Sequence, residues 1–214
     1  MEVRLPQFAV LYMIYMMKNM AKKKDLYIAG IDEAGRGPLA GPLSMAVVVL
    51  KRGEKLSLNG LRDSKKLSPK VREEWFRKIR VWEKEGKLFY KHILISAQKI
   101  DSRGMSWALN KSVRSCLRGF ENKKSKMKVF LDGGLHAPNN FIQKTVIKGD
   151  EKIPVIALAS IVAKVLRDRK MIILSKKYPK YLLHIHKGYG TLLHRKLIKK
   201  HGISSIHRKT FIHF

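Results

Sequence analysis

Short apolar runs alternate along the chain with stretches whose apolar residues recur every three or four positions. LYIAGI (26–31) and SMAVVVL (44–50) are runs of the first kind, and both predict strands. The second is apolar without alternation, so it is expected near the centre of a sheet with both faces covered. The Gly/Pro-rich segment between them is too short for a parallel crossover, which predicts an antiparallel pair. Ser68 and Pro69 then open a helix, as a cap followed by proline in the first turn. Val71, Trp75, Ile79 and Trp82 would line its inner face, and Gly86 would end it. KLFYKHILIS (87–96) predicts a third strand, about 105–120 a helix, KVFL (128–131) a fourth strand and KTVI (144–147) a short fifth. A long helix is expected from Ile156 to about Leu174, and a last one from a Thr191 cap to Gly202. A sheet that begins antiparallel and continues through helical crossovers is a mixed α/β layer fold.

Composition narrows the partner. The 214 residues suit one domain, and 45% hydrophobic content supports a core. Against 16 Asp and Glu stand 46 Lys and Arg, a formal charge of +30. A chain this basic attracts polyanions, above all nucleic acid. The lone Cys116 sits at helical spacing among Leu109, Val113, Leu117 and Phe120, which reads as a buried hydrophobe. A single cysteine allows no internal disulfide and fits a reducing cytoplasm. FAVLYMIYMM (8–17) is apolar but too short to span a membrane, and no small-residue cleavage site follows it. Residues 1–24 are therefore expected to be an extension outside the core fold, with Met20 as an alternative start, and 25–214 to be the single functional domain.

The acids give the chemistry. Of seven aspartates, Asp32 ends the first strand, Asp132 the fourth, and Asp150 follows the fifth. Glu33 adjoins Asp32. Carboxylates gathered at strand ends repel one another unless cations or protons intervene. An all-oxygen donor set of this kind suits Mg²⁺ or Mn²⁺, held between the protein and a substrate's phosphates. Adjacent strand residues point to opposite faces, so Asp32 and Glu33 can share a site only if the strand breaks there, and the Ala-Gly-Arg-Gly-Pro that follows is expected to supply the break. Gly35-Arg-Gly37-Pro-Leu-Ala40 also matches a dinucleotide fingerprint, but it leads into a strand where that motif must open a helix. Its glycines suggest close approach of backbone to a ligand.

Other polar groups fit a nucleic-acid site. Lys65 and Lys66 precede the cap of the first helix. Ser160, Lys164, Arg167 and Asp168 share one face of the long helix. HKGYGT (186–191) sets Lys187 and Tyr189 in a glycine loop, where an aromatic can stack on a sugar or base. The eight histidines lack cysteine partners and HExxH spacing, which argues against zinc.

GIDEAGRGPLAGP, LRDSKKLS, FLDGG, KGD, ASIVAKVLRD and HKGYGT occur in this order across roughly 26–210. Together they resemble the type 2 ribonucleases H, specifically bacterial ribonuclease HII. The resemblance implies a ribonuclease H-like mixed β-sheet flanked by helices, with a C-terminal helical region. It implies an endonuclease that uses divalent metal, Mn²⁺ or Mg²⁺, with two ions when substrate is bound. Its substrates would be RNA/DNA hybrids and duplex DNA with an embedded ribonucleotide, cut on the 5′ side to leave a 3′-hydroxyl and a 5′-phosphate. By motif, Asp32, Glu33, Asp132 and Asp150 would be the catalytic, metal-binding carboxylates. Gly35, Arg36 and Gly37 would read the 2′-hydroxyl, largely through backbone. Tyr189 would pack on the neighbouring deoxyribose. Lys65, Lys66, Ser160, Lys164 and Lys187 fall in motifs that approach phosphates, and Asp168 would orient its surroundings. A monomer with no obligate protein partner is implied. The type 3 enzymes carry a sizeable N-terminal domain that 24 residues cannot supply.

Charge alone would also fit a noncatalytic, basic nucleic-acid-binding protein, and residues 8–17 alone a membrane-associated one. The aspartates at strand ends argue for the enzyme.

Overall fold

The computed structural model describes residues 26–61 and 67–214. The expected extension over 1–24 and the lysines Lys65 and Lys66 lie outside these residues. Five strands, β1 (Tyr27–Ala34), β2 (Leu43–Lys51), β3 (Leu88–Ile95), β4 (Met127–Asp132) and β5 (Ile142–Val146), form one sheet in the order β3-β2-β1-β4-β5. As the short connection requires, β1 and β2 pair antiparallel, and β3 continues that pattern. The next strands, β4 and β5, lie parallel to β1. The mixed sheet of the sequence reading is thus present.

One local expectation fails. The β1 strand does not break between Asp32 and Glu33: pairing with β2 continues through Glu33 opposite Met45 to Ala34 opposite Ser44. The glycine-rich turn begins only after that.

The helices are α1 (Pro69–Lys84), α2 (Ala97–Arg103), α3 (Met105–Leu117), α4 (Gly149–Lys152), α5 (Pro154–Lys177), α6 (Leu183–His186) and α7 (Leu192–His201). Ser68 caps α1 by accepting from Val71 N–H, and Thr191 caps α7 through His194 N–H. No element is expected from the sequence between 96 and 105, where α2 lies, capped by Ser96 through Lys99 N–H.

Strand alternation divides the core into two. Ile28, Ala46, Val48, Leu50 and Phe130 face α5 and α1. Ala29, Ile31, Val47, Val49, Val129 and Leu131 face α3, where Cys116 is fully buried. Burial pushes the Cys116 thiol up to about 12, so it packs as a hydrophobe. The α5 helix reaches the sheet at Gly30, where a Cβ would fall 2.3 Å from the Val155 backbone. That close approach brings the start of α5 against the middle of β1. A third, smaller cluster of Ala40, Met171, Tyr181, Leu183 and Ile206 docks the C-terminal helical region on the far part of α5. Among the described residues no helix is long and apolar enough to cross a membrane.

Candidate active site

The acidic residues meet because β1 and β4 are parallel neighbours. Ile31 pairs with Leu131, so Asp32 and Asp132 stand one step beyond, Asp132 as the last residue of β4 and Asp32 two residues before the end of β1. Asp32 is buried, only 3% exposed. Burial, then the Glu33 carboxylate, raise its carboxyl well above the usual range, and Asp132 adds to the rise. A hydrogen bond with the Ser160 side chain and the Glu33 N–H oppose it. The Glu33 N–H donates to Asp32 Oδ1 at 2.7 Å, while Asp32 Oδ2 is buried with no hydrogen-bond donor. Glu33 Oε1 lies 3.3 Å from Arg36 Nη1. An unbroken strand therefore does not keep the two acids from interacting.

Asp150 joins through the backbone. Lys148 takes a left-handed conformation (φ 53°) and turns Gly149 N–H onto Asp132 Oδ1 at 2.6 Å. Asp150, next in the chain, is 4% exposed. A Cβ at Gly149 would fall 2.6 Å from Ile156 Cδ1 and 3.3 Å from Asp132 Oδ1, so a larger residue there would displace the Ile156 side chain and crowd Asp132. Among the described residues no three carboxylate, imidazole or thiol groups are arranged to hold an ion unaided. The donors that do converge are carboxylate oxygens, among them the buried and unsatisfied Asp32 Oδ2, and such donors fit a hard divalent cation.

A second cluster lies further along α5. Ser160 is buried beside Asp32; Lys164, Arg167 and Asp168 follow one and two turns later. This face is largely shielded rather than solvated. Asp168 accepts from Lys164 Nζ at 2.9 Å and lies 3.9 Å from Arg72 Nη2, so it orients two cations. Burial lowers the Lys164 ammonium, and Asp168 pushes back. Burial also lowers Lys187, whose side chain donates to the His184 carbonyl. Tyr189 is 42% exposed, with Lys164 Nζ 5.8 Å and Arg167 Cζ 5.6 Å from the centre of its ring.

Three histidines support the Tyr189 loop. Gly188 N–H donates to His186 Nδ1, so His186 Nε2–H donates to the Tyr181 carbonyl. Ser204 N–H donates to His207 Nδ1, leaving His207 Nε2–H for His194 Nε2, and His194 Nδ1–H for the Tyr189 carbonyl. Each ring is held neutral, and burial lowers all three, His194 to about 4. The sequence reading dismissed zinc but saw no role for these rings.

Between the clusters runs the loop after β1. Gly35 (φ 90°) must be glycine, because a Cβ there would strike the Arg167 guanidinium. At Gly37 a Cβ would meet nothing, so packing does not demand glycine and open space lies in front of it. Leu39 N–H and Ala40 N–H both donate to the Gly188 carbonyl, joining this loop to the Tyr189 loop. The sequence reading missed Arg208 altogether and gave Arg167 only a helix face. Both are fully buried.

A mixed sheet with carboxylates at two adjacent strand ends, in a strongly cationic chain, is the architecture of a ribonuclease H-like phosphodiester hydrolase. The ribonuclease HII family model matches residues 29–214. A ribonuclease HII of Caldicellulosiruptor bescii is 43% identical over 187 residues, covering 87% of this chain and 86% of that one. One from Aliarcobacter butzleri is 45% identical over 185 residues, with 86% and 90% covered. The ribonuclease HII solved in complex with PCNA from Archaeoglobus fulgidus superposes with a TM-score of 0.70 at 28% identity, covering 88% of this chain and 96% of that one. The chain belongs to the ribonuclease HII family. It is a ribonuclease H, which sets aside the noncatalytic alternative.

Proposed function

We propose that this enzyme is a divalent-metal-dependent endonuclease that cuts the RNA strand of RNA/DNA hybrids and cuts 5′ of single ribonucleotides in duplex DNA. Residues 25–214 form its catalytic domain, which works as a cytoplasmic monomer. The observation that carries the reading is the Asp32 carboxyl, raised first by its burial and then by Glu33 and Asp132, and holding an unsatisfied oxygen, inside a chain of charge +30. Acids that repel one another in a cationic protein require a neutralising partner.

Asp32, Glu33, Asp132 and Asp150 would hold Mn²⁺ or Mg²⁺, two ions with substrate bound. Such ions keep water and substrate phosphate oxygens among their ligands. When bound, the cations supply an acidified water for in-line attack and stabilise the leaving 3′-oxygen. The residues of this chain orient the substrate. The Gly35–Arg36–Gly37 backbone reads the 2′-hydroxyl, the group that separates RNA from DNA. Tyr189 packs on the adjoining deoxyribose. Lys164, Lys187, Lys65, Lys66 and Ser160 approach the phosphates, and Asp168 holds Lys164 in place.

The test is cleavage of a DNA duplex with one embedded ribonucleotide, in Mg²⁺, Mn²⁺ or EDTA. A single metal-dependent cut 5′ of the ribonucleotide, absent from the all-DNA control, is expected. In Asp32→Asn the rate should fall by more than the roughly 10–100-fold that outer-shell partners of a metal cost, with duplex binding retained. Undiminished cutting by Asp32→Asn would refute the assignment.

A further inference from the structure

Six main-chain carbonyls converge on two guanidinium groups with no exposed surface. Arg167 Nε donates to Pro42 O (3.0 Å), Nη1 to Lys187 O (3.1 Å) and Nη2 to Ala40 O (3.4 Å). Arg208 Nη1 donates to Arg36 O (2.7 Å), Nη2 to Gly35 O (2.7 Å), and Nε and Nη2 to Gly41 O (3.1 and 3.0 Å). Neither arginine forms an ion pair with an acid of the described residues. Burying two like charges without a carboxylate is costly. Only a guanidinium, with five donors in a rigid fork, can gather several carbonyls at once.

The backbone consequence is specific. The peptide bonds here are trans, so each carbonyl opposes the N–H of the next residue across one plane. Drawing the Gly35 and Arg36 carbonyls inward turns the N–H groups of Arg36 and Gly37 outward. Both residues are exposed, and neither amide donates to a backbone acceptor among the described residues. The open space in front of Gly37 leaves that face clear.

We propose that Arg208, seated against Arg167, is a positioning residue: it pins the Gly35 and Arg36 carbonyls so that the Arg36 and Gly37 amides present two adjacent donors to the ribose 2′-hydroxyl. This rests on the ribonucleotide-reading function proposed above. It makes discrimination depend on a residue 171 positions downstream of the loop's Gly37. That distant residue is in turn held by its neighbours: Lys209 N–H and Thr210 N–H bond the Asp101 carboxylate, and Arg208 N–H bonds Leu39 O.

Arg208→Lys keeps the charge but cannot reach three carbonyls together. Its kcat and KM are to be measured on a duplex with one ribonucleotide, with all-DNA duplex as competitive inhibitor. The expected result is a fall of about tenfold or more in kcat/KM, with the inhibition constant of the all-DNA duplex unchanged. A folded Arg208→Lys enzyme with unchanged kcat/KM overturns the proposal. A wild-type enzyme that cuts hybrids but shows no response to a single ribonucleotide overturns the function on which it rests. Should Arg208→Lys not fold, NMR of the wild type decides. A pinned guanidinium gives separately resolved Arg208 Nη proton signals, and averaged signals would contradict the pinning.

Discussion

Gly30 and Gly37 are glycines for opposite reasons. A methyl at Gly30 would sit 2.3 Å from the Val155 backbone, and neither β1 nor α5 can yield cheaply. Gly30→Ala should destabilise the fold by at least about 2 kcal/mol, an overpacking cost. A methyl at Gly37 meets no atom of the protein. Gly37→Ala should change stability by no more than about 0.5 kcal/mol, yet slow cleavage at a ribonucleotide by filling the space intended for the sugar. Thermal melts and cleavage rates on the two variants separate the cases. A Gly37→Ala enzyme with full activity would mean that the loop does not approach substrate as proposed.

At the scale of elements, shielded imidazoles tie strands and helices together. His92 on β3 donates through Nε2 to Ser44 Oγ on β2, whose own proton goes to the Ala163 carbonyl on α5. Burial lowers His92 to about 4. The unfolded chain protonates its histidines near 6.5 while the native state resists. Stability contributed by the neutral ring is therefore complete above about pH 6.5 and declines as pH falls toward 4, because the unfolded state then binds more protons. The raised Asp32 carboxyl acts in the opposite sense: the native state binds that proton at a pH where the unfolded chain does not. Comparison with His92→Gln, which keeps a donor for Ser44, isolates the histidine. The fall in unfolding free energy from pH 7 to pH 5 should be smaller in His92→Gln by about 1–2 kcal/mol. Equal falls in both proteins would show that His92 does not titrate on unfolding.

For the whole molecule, the net charge of +30 acts as a field over which the acidic site is a local exception. Phosphates are attracted broadly, and under the proposed function the carboxylates would give the region where cations bridge to them. Binding should therefore weaken steeply with salt. A fourfold rise in salt should lower duplex affinity by about tenfold or more, the loss expected from as few as two phosphate contacts. The dependence should be alike for all-DNA and ribonucleotide-containing duplexes, because charge carries no sequence or sugar information. Fluorescence anisotropy at two salt concentrations checks both statements, and an affinity indifferent to salt would remove charge as the basis of binding.

The sequence by itself determined the order and type of the strands, the caps at Ser68 and Thr191, and the antiparallel start of the sheet. These depend on local chemistry: periodicity, capping hydroxyls, and connections too short for any other pairing. It misjudged the end of β1, because strand pairing with β2 outlasts the local signal at Glu33. Tertiary structure alone decided that Asp32 and Asp132 are neighbours, since parallel register joins residues a hundred positions apart. It alone made a neutral chain of His194 and His207 beneath Tyr189, and turned Arg208 onto the loop at Gly35. An arginine in a basic chain reads as one more surface charge. Burial and the direction of carbonyl groups, neither of which is written in local sequence, make it a clamp.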